Sequence, residues 1–312
     1  MILPDFYDRF QCKAGACQHT CCRGWEIDID DVTADVYQHL DGPLGEAIRQ
    51  HIAEGPEGWH FCLTADGNCP FLRPDGLCRL IRESGDDILC DICALHPRFF
   101  QVVTDGNGQD RELGGVGLCC EAAAGLLLSS PSPLTFYDEE RGQSLGTLAQ
   151  LLDALDYPAP SAGLVYQPDT TKKGHERLLA VLSRTEPIDD AWTAGLKALQ
   201  ARIASTEKVA APDPEQAKRY QRVYDYLFYR QLESFADVPS DVLATYAARN
   251  TDFIGLAAAV TGNLPEAVRR WSEQIEYDTD NVALLQEAAA AGEFCLFRHF
   301  VPAFATLPVL SK

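Results

Sequence analysis

The sequence carries little positive charge and very little lysine. Seven lysines occur in 312 residues, and Lys13 alone precedes position 172. Lys and Arg total 26 against 46 Asp and Glu, a formal charge of −20. A field of that sign repels phosphate backbones and anionic lipid headgroups, which argues against a nucleic-acid partner and against a membrane surface. No uncharged apolar run of about 18 residues is present, so no membrane-spanning helix is expected. Met1-Ile-Leu-Pro-Asp5 also lacks the basic and apolar regions of a secretory leader, and these absences predict a cytoplasmic protein. There is no G-x-G-x-x-G, P-loop, zincin helix or G-x-S-x-G elbow. Gly114-Gly-Val-Gly117 reads as strand and turn glycine rather than a nucleotide loop. The remainder, 46% hydrophobic and 23% charged, is ordinary for a globular chain of roughly two domains.

Cysteine is abundant, and it is concentrated. Cys12, Cys17, Cys21, Cys22, Cys62, Cys69, Cys78, Cys90, Cys93, Cys119 and Cys120 fall in the first 120 residues, with Cys295 alone in the second half. Residues 1–125 also hold most of the net negative charge, −12 of −20, with nine basic and 21 acidic residues. In a reducing compartment such thiols stay free, which favours metal ligation over disulfides. Thiolates suit both tetrahedral zinc and iron–sulfur clusters. Structural zinc usually draws on two short knuckles, whereas here Cys90-x₂-Cys93 is the only Cys-x-x-Cys pair. The ferredoxin run C-x₂-C-x₂-C-x₃-C is absent. So is C-x₃-C-x₂-C, because position 24 after Cys17-x₃-Cys21 is glycine. The spacing describes an irregular thiolate cage, in which adjacent Cys21 and Cys22 both serve only if the chain turns locally or two centres exist.

Around the cysteines the pattern predicts short elements. A strand near 25–30 ends at a helix cap, helices cover 31–40 and 44–54, and a strand covers 59–64. A hairpin at 98–104 and 111–118 turns on Asp105-Gly-Asn-Gly108, whose residues tolerate positive φ. A helix at 121–128 is stopped by Ser129-Ser-Pro-Ser-Pro133. Asp28, Asp30 and Asp31 read as strand-end and cap groups, with a general base beside the cage as the other use. Arg98 is placed to bond a cluster sulfur or substrate carboxylate, or to form a surface ion pair.

From about residue 140, 3.6-residue periodicity predicts helices at 145–155, 176–183, 192–203, 215–235, 242–260, 264–274 and 282–300. Tyr220, Tyr224, Leu227, Phe228 and Phe235 form an apolar row read as core, and Cys295 reads as a buried small hydrophobe. Residues 157–168 are the best linker candidate, with a loop between two helices of a hairpin as an equal reading. The expected fold is therefore mainly α, with a cysteine-rich irregular α+β N-terminal region (1–130) and a helical C-terminal domain (140–312).

Five ordered blocks carry a resemblance: Cys12-x₄-Cys17-x₃-Cys21-Cys22-Arg-Gly-Trp25, Asn68-Cys-Pro-Phe-Leu72, Gly76-Leu-Cys78, Cys93-x₃-Pro97-Arg98 and Cys119-x-Glu121-Ala122. Together they resemble the flagellin lysine-N-methylase family, which is related to a group of zinc- or iron-chelating cysteine-cluster domains. The likeness covers residues 1 to about 128. In the helical half it is faint, at Arg269-Arg-Trp-Ser-Glu-Gln-Ile-Glu-Tyr277, where the family has His at the last position. The resemblance implies methyl transfer to flagellin lysines, S-adenosylmethionine as donor, and a cysteine-bound [4Fe-4S] cluster, with zinc as the alternative metal. It carries over eight metal ligands: Cys12, Cys17, Cys21, Cys22, Cys69, Cys78, Cys93 and Cys119. Cys90 and Cys120 stand where the family has other residues, and Cys62 has no counterpart. Neither the residues nor the resemblance identifies a catalytic base or a donor pocket. A non-catalytic metal-binding module, in electron transfer or protein interaction, is the alternative function.

Overall fold

The computed structural model describes residues 1–294 except 57 and 131; the expectations for Cys295 and for a helix reaching residue 300 lie outside the described residues. In chain order the first elements are β1 (Ile2–Pro4), β2 (Asp28–Ile29), α1 (Asp31–His39), α2 (Gly42–Arg49), β3 (Ile52–Gly55) and β4 (Gly58–Phe61). Then follow α3 (Arg79–Ser84), α4 (Asp91–Leu95), β5 (Arg98–Thr104), β6 (Asp110–Val116), α5 (Glu121–Leu127), β7 (Thr135–Asp138) and β8 (Gln143–Thr147). The remainder is helical: α6 (Leu148–Ala154), α7 (Lys172–Leu182), α8 (Asp190–Ala204), α9 (Pro214–Arg230), α10 (Ser240–Thr261), α11 (Leu264–Ile275) and α12 (Thr279–Ala290).

These elements form two compact units that interleave along the chain. One comprises Met1–Asp8, Phe100–Gly115 and the chain from Ala124 onward; the other comprises Arg9–Phe99 and Val116–Ala123. The division is therefore not the sequential one at 130–140. A parallel pairing explains part of it. β1 aligns with β6 through Ile2 and Leu113, and antiparallel with β7 through Leu3 and Tyr137. The N-terminal strand thus lies inside the sheet β5-β6-β1-β7-β8, a long-range pairing that local pattern does not reveal.

Two expected helices are shorter than their periodicity suggested. α2 stops at Arg49 and the chain re-enters as β3, where Ile52 pairs with Phe61. At 145–155 the first three residues complete β8, and the helix begins at Leu148 behind a Thr147 cap reinforced by Gln150. The second half is accordingly not all α. α9 opens on a reciprocal capping box, in which Asp213 accepts from the Gln216 amide at 2.8 Å and Gln216 accepts from the Asp213 amide at 3.0 Å. It ends at Arg230, so Phe235 lies past the helix. The aromatic row is nonetheless core: Tyr224, Leu227, Phe228 and Phe235 are buried, and Tyr220 is half-buried. Residues 157–168 lie within the helical unit rather than between units.

The cysteine-bearing unit has a three-stranded antiparallel sheet, β2-β4-β3. Its core joins Ile27, Ile29, Tyr37, Ile48, Phe61, Phe71 and Leu80 with Cys69 and Cys90. Phe61 meets Phe71 edge-on at 5.5 Å, the geometry that aromatic quadrupoles favour.

Candidate metal centre

Every one of the eleven described cysteines is a free thiol inside the unit formed by Arg9–Phe99 and Val116–Ala123, and nine of them fall into two neighbourhoods. The first neighbourhood gathers Cys22, Cys69, Cys78, Cys90 and Cys93 on one apolar core, with Cys69 and Cys90 buried and the other three packed at its edge. Backbone pairing sets them there. The Cys69 amide donates to Cys22 O at 2.8 Å, the Leu72 amide to Cys69 O at 3.0 Å, and Leu72 bridges to Cys78. Cys90 caps α4, and one turn on, the Cys93 amide donates to Cys90 O at 3.0 Å. Asp30 anchors this turn. Its carboxylate accepts from Thr33 N at 2.8 Å, capping α1, and from Asp91 N at 3.0 Å. The residue expected to be a cap is therefore a cap, and it ties β2 to the Cys90 motif as well.

Burial pushes the Cys69 thiol up to about 12 and raises Cys78, and neighbouring thiols of the same group add to both. Within the Cys90–Cys93 pair the shared hydrogen bond lowers Cys90 and raises Cys93. Tyr37 closes the group, its hydroxyl donating to Ile88 O at 2.7 Å.

The second neighbourhood brings Cys12, Cys17 and Cys21 to Cys120, which follows Cys119 in the chain about a hundred positions later. Cys17, Cys12 and Cys120 lie within electrostatic reach of one another, as do Cys21, Cys12 and Cys120. Glu121, the first residue of α5, accepts from Lys13 Nζ at 2.9 Å, from the Gln18 amide at 3.0 Å and bonds His19 Nδ1 at 3.1 Å. Burial alone would raise this carboxyl, but the Lys13 and His19 bonds outweigh it and hold it down at about 2. The two neighbourhoods meet at Cys21 and Cys22, whose shared bond raises Cys21 and lowers Cys22 to about 7.

Other expected residues fall elsewhere. Cys62 is exposed at the end of β4. Arg98 lies with its guanidinium 5.2 Å from the Phe10 ring centre, a cation–π contact that neither sequence reading foresaw. His96, joined to Pro97 by a cis peptide, lies with its ring tilted 37° to that of Trp25 at 5.8 Å, and burial lowers its pKa to about 4. Beside Cys17 lies an open groove of about 410 Å³, bordered by Thr20, Arg23, Asn68 and Arg73.

Among the described residues no three Cys, His, Asp or Glu side chains converge on one point as a finished coordination sphere. The donors fit a metal or cluster in kind and in neighbourhood: they are soft thiols drawn together from distant segments. Burial and neighbouring thiols raise Cys17, Cys69, Cys78 and Cys120, so a thiophilic cation would have to supply the charge that reverses both effects. Cys90 and Cys120, which the family pattern omits, lie among the clustered thiols. The lone Cys-x-x-Cys spacing was the available signal for Cys90, and adjacency to Cys119 for Cys120.

With these blocks placed in one unit, comparison with known proteins becomes informative. The chain is similar to lysine-N-methylases. Over 157 residues it is 27% identical to the Lysine-N-methylase of Salmonella typhimurium and, over the same length, 26% identical to that of Salmonella choleraesuis. These alignments take in 48% of this chain and 38% of each methylase. Over 143 residues it is 25% identical to the flagellar biosynthetic protein FliU of Salmonella muenchen, covering 44% of this chain and 82% of FliU. The chain thus spans well under half the length of the curated lysine-N-methylases it matches. No family model and no solved structure matches it.

Proposed function

We propose that this protein is a protein-lysine N-methyltransferase acting on flagellin, with S-adenosylmethionine as methyl donor and a cysteine-bound iron–sulfur cluster, zinc being the alternative metal. The observation that carries this reading is the similarity to proteins named Lysine-N-methylase and FliU, together with the eleven described cysteines lying in one compact unit. The thiols of the two neighbourhoods would hold the cluster, which supplies redox or Lewis-acid chemistry when bound.

The chemistry sets a requirement on the protein. A lysine amine must be neutral to attack a sulfonium methyl, and its ordinary pKa near 10.4 leaves under about 0.1% neutral at pH 7. An acidic surface attracts lysine side chains but also stabilises their charge. Encounter therefore belongs to the broad anionic surface, with net charge −20, and methyl transfer to a drier pocket. Among the described residues no helix is long and apolar enough to cross a membrane, and the protein is read as working in the cytoplasm.

Mass spectrometry of flagellin co-expressed with this protein tests the reading. Increments of 14 daltons on lysines are expected. Unmodified flagellin, beside an active reference methylase in the same host, favours the second reading: a metal-binding module without transferase activity. The short alignment against the methylases, 38% of their length, is the observation that supports that reading.

A further inference from the structure

Three segments of the cysteine-bearing unit border the groove beside Cys17: the loop 17–20, the paired stretches at Arg23 and Asn68, and the turn at 72–76. Backbone groups fix all three. Arg23 bridges antiparallel to Asn68, with the Gly24 amide donating to Gly67 O at 2.9 Å and the Cys69 amide to Cys22 O at 2.8 Å. The turn closes through the Arg73 amide to Leu77 O and the Gly76 amide to Arg73 O, both 2.9 Å, with Gly76 at φ +77°. The loop packs on that turn so closely that a Cβ at Gly15 would lie 2.8 Å from Asp75 O. Charge in the groove is uneven. Arg73 is neutralised by Asp75, which accepts from Nε at 3.2 Å and from Nη2 at 3.1 Å. Arg23 has no carboxylate: among the described residues its side chain makes one bond, from Nε to Asn68 Oδ1 at 2.6 Å. That bond holds the guanidinium by its Nε edge and leaves both terminal nitrogens, a fork that matches a planar carboxylate, for a ligand.

We propose that this groove is the methyl-donor site and that Arg23 binds the donor's carboxylate, an inference that rests on the methyltransferase reading. One uncompensated guanidinium suits a singly charged anion, whereas a phosphate dianion would bring an unmatched charge into a chain of net charge −20. The same field favours a ligand whose remaining groups are cationic. S-adenosylmethionine meets both conditions, with a carboxylate at one end and an ammonium and a sulfonium beside it. The acidic unit attracts the whole molecule, and Arg23 decides which end enters the groove. The volume of about 410 Å³ lies within the range of small-molecule sites, about 300–1,000 Å³. Cys17 belongs both to the groove and to the second thiol neighbourhood, so a donor seated here lies beside the thiols.

The test is calorimetry of the anaerobically purified full chain with S-adenosylhomocysteine, which keeps the carboxylate, and with methylthioadenosine, which lacks it. Circular dichroism checks folding. Wild-type protein should bind S-adenosylhomocysteine at least about tenfold more tightly than methylthioadenosine. Arg23→Ala should weaken S-adenosylhomocysteine by about ten- to hundredfold and leave methylthioadenosine unchanged. Arg23→Lys, which keeps the charge without the fork, should fall between them. Equal affinity in wild type and folded Arg23→Ala, or no binding of S-adenosylhomocysteine by wild type, overturns the assignment. Amide exchange of the wild type supplies a check that needs no substitution: S-adenosylhomocysteine should slow exchange within 17–24 and 67–77, and protection confined to other segments also overturns it. The two readings fail separately. Arg23-dependent binding with unmodified flagellin removes flagellin methylation and keeps the groove, whereas methylated flagellin with donor binding indifferent to Arg23 keeps the transferase and removes the groove.

Discussion

In the cysteine-bearing unit the longest described helix is α1, nine residues, and one strand of its sheet has only two. In the helical unit α10 alone runs for 22 residues, and Trp271, Tyr226, Tyr229, Tyr246 and Phe228 are wholly buried. Helices of nine residues or fewer are marginal in water without tertiary support. The first unit supplies that support through capping carboxylates and loop clips, at Asp30 and Glu121. The second relies on aromatic packing and on buried polar groups whose partners are fixed, as where Arg222 donates to Leu127 O at 2.8 Å and Ser132 O at 2.9 Å and pairs with Asp5 at 3.1 Å. If metal is bound, a unit with a small core would gain the more from ligation.

The sharpest way to break this contrast is through the helical core. Trp271→Ala removes a fully buried ring and leaves Asn250, which accepts its indole N–H at 2.8 Å, without that bond. The expected cost is about 3–5 kcal/mol in chemical denaturation, with Co²⁺ uptake per folded molecule unchanged. A fall in uptake by folded Trp271→Ala protein would show that the two units depend on each other.

A pH effect of comparable size belongs to the same unit. Asp225 is buried, and desolvation pushes its carboxyl up to about 7, although Gln221 donates to it at 2.7 Å and Arg222 pulls it down. A carboxyl whose folded pKa lies above its unfolded value binds protons more tightly when folded. Stability is therefore highest at low pH for this group and is lost as pH rises from about 4 to about 7, by up to about 4 kcal/mol at 1.4 kcal/mol per pKa unit. Asp225→Asn should flatten that part of the stability–pH curve. A slope identical to wild type would exclude Asp225 as its source.

Metal removal probes the other unit. With metal present at about a hundredfold over its dissociation constant, ligation adds about 2.7 kcal/mol. Chelation should speed amide exchange in α1, β4 and α4 while leaving α9 to α11 protected. Equal loss of protection in both units would remove the distinction drawn above.

The smallest effect is at Asp30. Asp30→Ala deletes the α1 cap and the bond to the Asp91 amide, a loss of about 1–2 kcal/mol. Exchange of the Thr33 and Asp91 amides should report it first. Protection unchanged at both would show that the cap contributes nothing to holding the Cys90 turn.

Much of this was legible in the sequence. The helices at 192–203, 242–260 and 264–274, the hairpin on Asp105-Gly-Asn-Gly108 and the Asp30 cap follow from periodicity and local hydrogen bonding, which act within a few residues. The five cysteine blocks, separated in sequence, all lie in one compact unit. What local pattern misjudged was the chain at 52–54 and 145–147, where hairpin pairing with the neighbouring strand, β4 or β7, overrode helix-like spacing.

Composition and spacing by themselves determined that this protein is acidic, thiol-rich in its first 120 residues and helical after about residue 170. Those properties are sums over residues or repeats over one helical turn. The interleaving of the two units, the insertion of β1 between β6 and β7, and the sorting of the cysteines into two neighbourhoods were decided only by tertiary structure. Each depends on contacts between segments about a hundred residues apart, such as Lys13 with Glu121 and Ile2 with Leu113. No spacing rule reaches that far, because the chain between them is free to close in many ways and packing selects one.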